Sequence, residues 1–144
     1  MDHVAILDKS RQLLPKIISG EKTIESRWYV SRFAPWSRIF AEDTIYFKNS
    51  GEAVTARATV TKVLQFSDLD KKKIREIISN YGREIGFKSS EVKQWVNSYT
   101  ASKHYCILIF LKDPKQIKPF RISKAGFGAS CAWMCVGTIK GVCL

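Results

Sequence analysis

"GEKTIESRWYVSRFAPW", residues 20–36, decides how the rest of the chain is read. It opens on a glycine, a helix stop signal, and then crowds together Lys22, Glu25, Arg27, Trp28, Arg32 and Trp36. So many charges are costly to bury, which separates the stretch from an ordinary core strand. Extended, it sends Thr23, Glu25 and Arg27 one way and Lys22, Ile24 and Ser26 the other. Glu25 and Arg27 are then same-face neighbours, able to tie the strand to a sheet rim as an ion pair. The same side chains suit a ligand: Glu25 accepts from a base amino group while Arg27 or Lys22 holds phosphate or a carbonyl. Trp28, Tyr29 and Trp36, interleaved with Arg27, Arg32 and Arg38, add flat faces on which unstacked bases can lie. The stretch reads as the wall of a ligand cleft.

Outward from it, the pattern is mixed. Residues 4–7 (VAIL) read as a strand, and Leu13, Leu14, Ile17 and Ile18 repeat at helical spacing up to Gly20, with Pro15 either kinking that helix or lying near its start. Residues 44–47 (TIYF) and 53–66 read as strands joined by a turn. In the longer one Val54, Ala56, Ala58, Val60 and Lys62 share a face. Two helices are expected next, near 68–81 and 90–99. The first has an S-x-x-D start at Ser67 and Asp70, a stripe of Ile74, Ile77, Ile78 and Tyr81, and Gly82 as its stop. In the second, Val92, Trp95, Val96 and Tyr99 form a core stripe. "YCILIFL", 105–111, is a buried central strand, after which "KDPKQIKPFRI" passes through a loop into another strand, and a glycine-rich bend leads to the last one. Strands, then helices, then strands indicate an α+β domain with a mostly antiparallel, barrel-like sheet.

The chain of 144 residues suits one domain, 1–144, with a helical insert at about 67–100. Its net charge of +11 is unevenly distributed: residues 101–144 hold seven bases against the single acid Asp113. That balance favours polyanions, nucleic acid above all. No apolar run approaches the ~20 residues that span a bilayer, and "MDHVAILDKS" lacks a basic n-region followed by a long apolar stretch. A cytoplasmic protein with no membrane partner is expected. Cys106, Cys131, Cys135 and Cys143 all lie after residue 105, unlike a disulfide framework that staples a whole domain. They read as free thiols. With no C-x-x-C pair and only His3 and His104 to assist, no metal and no cofactor are expected.

A helix ending in glycine, then "EKTIESR", then a strand bearing "EDTIYF" and a long Ala, Val and Thr strand resembles the ASCH domain family of the PUA-like superfamily. The pattern rests on Gly20, Lys22, Thr23, Ile24, Glu25 and Arg27, with Glu42-Asp43 where the family usually has Gly-Asp. The resemblance implies a PUA-like, mostly antiparallel β-barrel with flanking helices and a cleft beside the glycine–lysine turn. It implies binding of RNA or a nucleobase-containing ligand; the residues read above, Lys22, Thr23, Glu25, Arg27, Trp28, Arg32, Trp36 and Arg38, would form one wall. Lys124 and Ser130, near the last strand, are implied for the other. The alternative it leaves open is an enzyme, either an amidohydrolase acting on a modified nucleoside such as acetylated cytidine or an RNA-cleaving enzyme. Lys22 and Glu25 would then be catalytic. Those hydrolases use a threonine three residues after the lysine, and here Glu25 stands in that place.

Overall fold

The computed structural model describes residues 1–144. Its strands are β1 (Asp2–Leu7), β2 (Ile24–Tyr29), β3 (Thr44–Asn49), β4 (Val54–Phe66), β5 (Tyr105–Phe120) and β6 (Trp133–Gly137). Its helices are α1 (Leu13–Ser19), α2 (Lys71–Ile85) and α3 (Val92–Ser102). The strands form one sheet in the order β2-β5-β4-β3-β1-β6, antiparallel throughout except for the parallel β1–β3 pair. The sheet curls into a half-barrel, an α+β PUA-like arrangement.

Both faces of the sheet bury apolar side chains, the outer one only where α2 and α3 cover it. Inside the curl, Ala5, Leu7, Ile45, Phe47, Ala56, Ala58, Val60, Ile107 and Ile109 form one core, with Ile17 of α1 packed among them. On the other face, Ile24, Trp28, Cys106 and Leu108 meet Ile74, Ile77 and Ile78 of α2 and Val96 and Tyr99 of α3. This explains why residues 105–111 are apolar without alternation: Cys106 and Leu108 serve the helices while Ile107 and Ile109 serve the curl.

Local chemistry sets the element ends. Pro15 falls in the first turn of α1, where its missing N–H would have had no partner, and Gly20, at φ 82°, closes that helix. Asp70 caps α2 by accepting from the Lys73 amide at 2.8 Å. The helix then runs through Gly82, the expected stop, and ends at Gly86, φ 104°. Gly82 lies inside the helix, where a Cβ would sit 3.3 Å from Ile78 Cγ2 and 3.7 Å from Phe87 Cδ2, a tight packing contact. The expected loop after residue 111 is also absent. β5 continues to Phe120, absorbing its prolines and Asp113 (φ 53°) through register shifts against β4. A further shift between Val60 and Lys62 takes Lys62 off the core face, and its Nζ lies 4.8 Å from the Phe110 ring centroid. Glu42, the departure from the Gly-Asp pattern, holds a φ of 74°, a conformation that favours glycine.

Candidate ligand cleft

β2 and β6 are the two edges of the sheet, and Arg27 bridges the opening between them. Its Nη1 donates to Ala132 O at 3.2 Å and its Nη2 to Ile6 O at 3.4 Å, while its guanidinium lies 5.0 Å from the Trp133 ring centroid. A cleft of about 860 Å³ lies at this opening, walled by β2, the end of β1, α3 and the segment leading into β6. Glu25 and Arg27 both line it. Glu25 Oε1 is 3.4 Å from Arg27 Nε, whereas Glu25 Oε2 and Arg27 Nε are buried with no hydrogen-bond partner. Glu25 is only 3% exposed. A buried carboxylate oxygen without a donor is costly, so its place beside an open cleft is informative.

Four cations share the cleft with that carboxylate: Arg11, Arg27, Lys103 and Lys124 all line it, against the acids Asp8 and Glu25. Asp8 is already engaged, accepting from the Ser10 amide and hydroxyl at 3.0 and 2.7 Å, bonds that hold its carboxyl below the usual range. Aromatic rings complete the lining. Tyr29 donates its hydroxyl to Ala34 O at 2.8 Å, and burial raises its phenol above the ordinary tyrosine value. Trp28 shows the cleft only part of its surface, because its ring stacks on Tyr99 with centroids 4.3 Å apart.

Of the residues expected from sequence, Glu25, Arg27, Trp28, Lys124 and Ser130 line this cleft together, and Lys22, Thr23, Arg32, Trp36 and Arg38 do not. Lys22 is 3% exposed, and its Nζ donates to Ile24 O at 2.7 Å and Ile85 O at 2.6 Å. Burial lowers its pKa, which the Glu25 charge partly offsets. Thr23 borders a separate polar hollow with Arg83 and Lys88. Arg32 lies over Trp36 and Tyr105, and Trp36 packs edge-on against Tyr105 at 5.1 Å. Arg38 is exposed. Lys124 donates to Ala129 O at 2.8 Å, folding the glycine-containing bend back on itself. Neither histidine lines the cleft: His3 is buried between Asp43 and Trp133, and His104 is exposed.

The α3 wall was missed. Trp95 belongs to the core stripe as expected, yet it also lines the cleft, with Arg11 4.7 Å from its ring centroid. Ser98 and Ser102 stand beside it, one helical turn apart, with Lys103 following. That polar row next to an aromatic stripe was the available signal.

No family model and no curated protein matches the chain. Solved structures do resemble it. The ASCH protein from Zymomonas mobilis is 20% identical with a TM-score of 0.68, covering 94% of this chain and 87% of that one. The N-terminal domain of Staphylothermus marinus McrB is 13% identical with a TM-score of 0.53, again covering 94% and 87%. A hypothetical protein, PH0355, is 19% identical with a TM-score of 0.53, covering 81% of this chain and all of that one. The fold is that of an ASCH domain. No helix is long and apolar enough to cross a membrane.

Proposed function

We propose that the cleft binds single-stranded nucleic acid, RNA above all, taking one unstacked base against Glu25 and Arg27 while the surrounding cations hold phosphate. The observation that carries this reading is the unpaired, buried Glu25 Oε2 in a cleft whose lining includes four cations, Arg11, Arg27, Lys103 and Lys124. An exocyclic amino group of a base supplies the missing donor, and the neighbouring Arg27 Nε supplies a donor for a ring nitrogen or carbonyl. The volume lies within the range of about 300–1,000 Å³ typical of small-ligand sites, so it suits a nucleotide rather than a folded partner. The likeness to ASCH and McrB domains supports a nucleic-acid-binding type of module.

The hydrolase alternative draws less support. Lys22 spends its donors on two backbone carbonyls and does not line the cleft. No threonine hydroxyl stands three residues after it.

The test is fluorescence anisotropy with a short labelled single-stranded RNA, titrated at several salt concentrations. Wild-type binding is expected to weaken with salt by about 0.7 in log K against log salt for each phosphate neutralised. Glu25→Gln, which removes the carboxylate but keeps its shape, is expected to lower affinity by about tenfold, on the scale of one charge-assisted hydrogen bond. Undetectable wild-type binding at low salt, or an unaffected Glu25→Gln variant, would overturn the reading.

A further inference from the structure

The outer face of the sheet carries a second concentration of positive charge. On the β4–β5 ladder Arg57 stands directly opposite Lys115, and Thr59 opposite Lys112. Lys112 and Lys115 are three residues apart, so a regular strand would turn them to opposite faces. The irregularity at Asp113, φ 53°, inserts the extra residue that returns both to the face of Arg57 and Thr59. Like charges directly opposite each other weaken a ladder. Lys112 is paired with Glu42 at 3.6 Å, but Arg57 and Lys115 are exposed and have no carboxylate within ion-pair distance. On the other side of Arg57 its cross-strand partner is Tyr46, whose ring packs edge-on against Phe120.

The chain carries further positive charge from this pair toward the cleft. Lys118 and Arg121 follow Lys115 along the chain and are exposed. Burial, and then the charges of Lys124 and Arg121, hold Lys48 below the usual lysine range. Lys124 in turn lines the cleft.

We propose that this face is a sequence-independent track for the backbone of single-stranded RNA, leading from the cleft mouth at Lys124 past Arg121 and Lys118 to the Arg57–Lys115 pair. The proposal goes beyond the cleft and rests on the cleft reading only for the choice of RNA as the polyanion. Lys112 pairs with Thr59 and Phe120 with Val54, five steps along β4, so this stretch spans about 17 Å, room for two or three nucleotides beyond the one in the cleft. Phosphates lying between Arg57 and Lys115 would relieve their repulsion.

The probes are labelled oligouridine 4-mer and 16-mer, bound to the wild type and to Arg57→Glu. The variant sets a carboxylate opposite Lys115 and takes two cations out of the track. The 16-mer is expected to lose at least about tenfold in affinity, and its salt slope to flatten by about 0.7 for each phosphate no longer neutralised. The 4-mer is expected to bind as before, and the melting temperature to hold or rise, because an attraction replaces a repulsion. An unchanged 16-mer affinity and slope would overturn the track, as would equal weakening of both oligomers. Displacement of the 16-mer by polyglutamate at equal charge concentration would overturn RNA as its partner. If the 4-mer fails to bind the wild type while 16-mer binding still needs Arg57, the cleft reading falls and the track stands. If the 4-mer binds through Glu25 and the 16-mer binds no better, the track falls and the cleft reading stands.

Discussion

Lys22 Nζ donates to Ile85 O at 2.6 Å, joining the residues that lead into β2 to the last residue of α2. A helix C-terminus presents carbonyls without intrahelical partners and a partial negative charge, and a buried lysine answers both. The second bond, to Ile24 O at 2.7 Å, locks the same side chain to its own strand.

Lys22→Met is therefore expected to destabilise the fold. The stem is retained, but two buried carbonyls lose their donor, at about 1–3 kcal/mol each. The urea midpoint should fall, while RNA affinity measured on the folded protein stays at the wild-type level. A normal midpoint with weakened binding would mean that the amino group serves the ligand.

Trp28→Ala should act mainly on the core. The ring is 8% exposed and lies nearly parallel to Tyr99, 13° between planes. Removing a buried tryptophan costs about 3–5 kcal/mol, so the variant is expected to melt well below the wild type. Trp28→Phe, which keeps an aromatic face against Tyr99, should recover most of that loss. If Trp28→Ala melts like the wild type but binds RNA poorly, the ring is a base platform.

Much of this architecture is legible in the sequence because it follows from period. The stripes of α2 and α3 and the alternation of Val54 to Val60 give the right faces. Strand parity likewise puts Glu25 and Arg27 on one face, where they meet at 3.4 Å, and Lys22 on the other. Parity does not say which face meets solvent and which meets a helix. Trp28 has the same local sequence whether its partner is a base or Tyr99. Gly82 illustrates a second limit, since glycine marks a helix end and a close packing contact with equal ease. The prolines and charges of residues 112–121 look like a loop because bulges, which depend on the partner strand, are what let them remain in β5. One wall of the cleft, Trp95, Ser98, Tyr99 and Ser102, comes from α3, distant in sequence from the motif and brought to it only by the fold.

The cysteines should divide by reactivity. Cys106 is fully buried among apolar side chains, and burial pushes its thiol far up; burial raises Cys135 as well. Cys143 is exposed and Cys131 is half-buried at the cleft. A disulfide-exchange reagent at pH 8 is expected to modify Cys143 and Cys131 in the native protein, and all four thiols only after denaturation without reductant. Bound RNA should slow Cys131 and leave Cys143 unaffected. Fewer than four reactive groups in the denatured chain would show that a thiol is oxidised, and indifference of Cys131 to saturating RNA would put the ligand elsewhere.

The clearest pH dependence should come from His3. Trp133 Nε1 donates to His3 Nδ1 at 3.1 Å, so the ring proton sits on Nε2 and is donated to Asp43 Oδ2 at 2.9 Å. The imidazole is neutral and 0% exposed, and burial holds its pKa below 6.5 despite the neighbouring carboxylate. As pH falls below 6.5 the unfolded chain takes up a proton that the folded one refuses, so stability is full above that value and declines beneath it. For one group the slope reaches at most about 1.4 kcal/mol per pH unit, and it levels off once folded His3 titrates. A second decline belongs to Asp43. Burial would raise its pKa, but hydrogen bonds from His3, the Met1 amino group and the Phe40 amide hold it below 3.8, so its contribution is lost only as pH falls below that value. Urea melts from pH 8 to pH 3 should show both declines. His3→Gln cannot take up the proton and is expected to flatten the first while keeping most of the second. If the variant loses stability between pH 6.5 and 5 as steeply as the wild type, another group drives the transition and His3 is not held neutral in the fold.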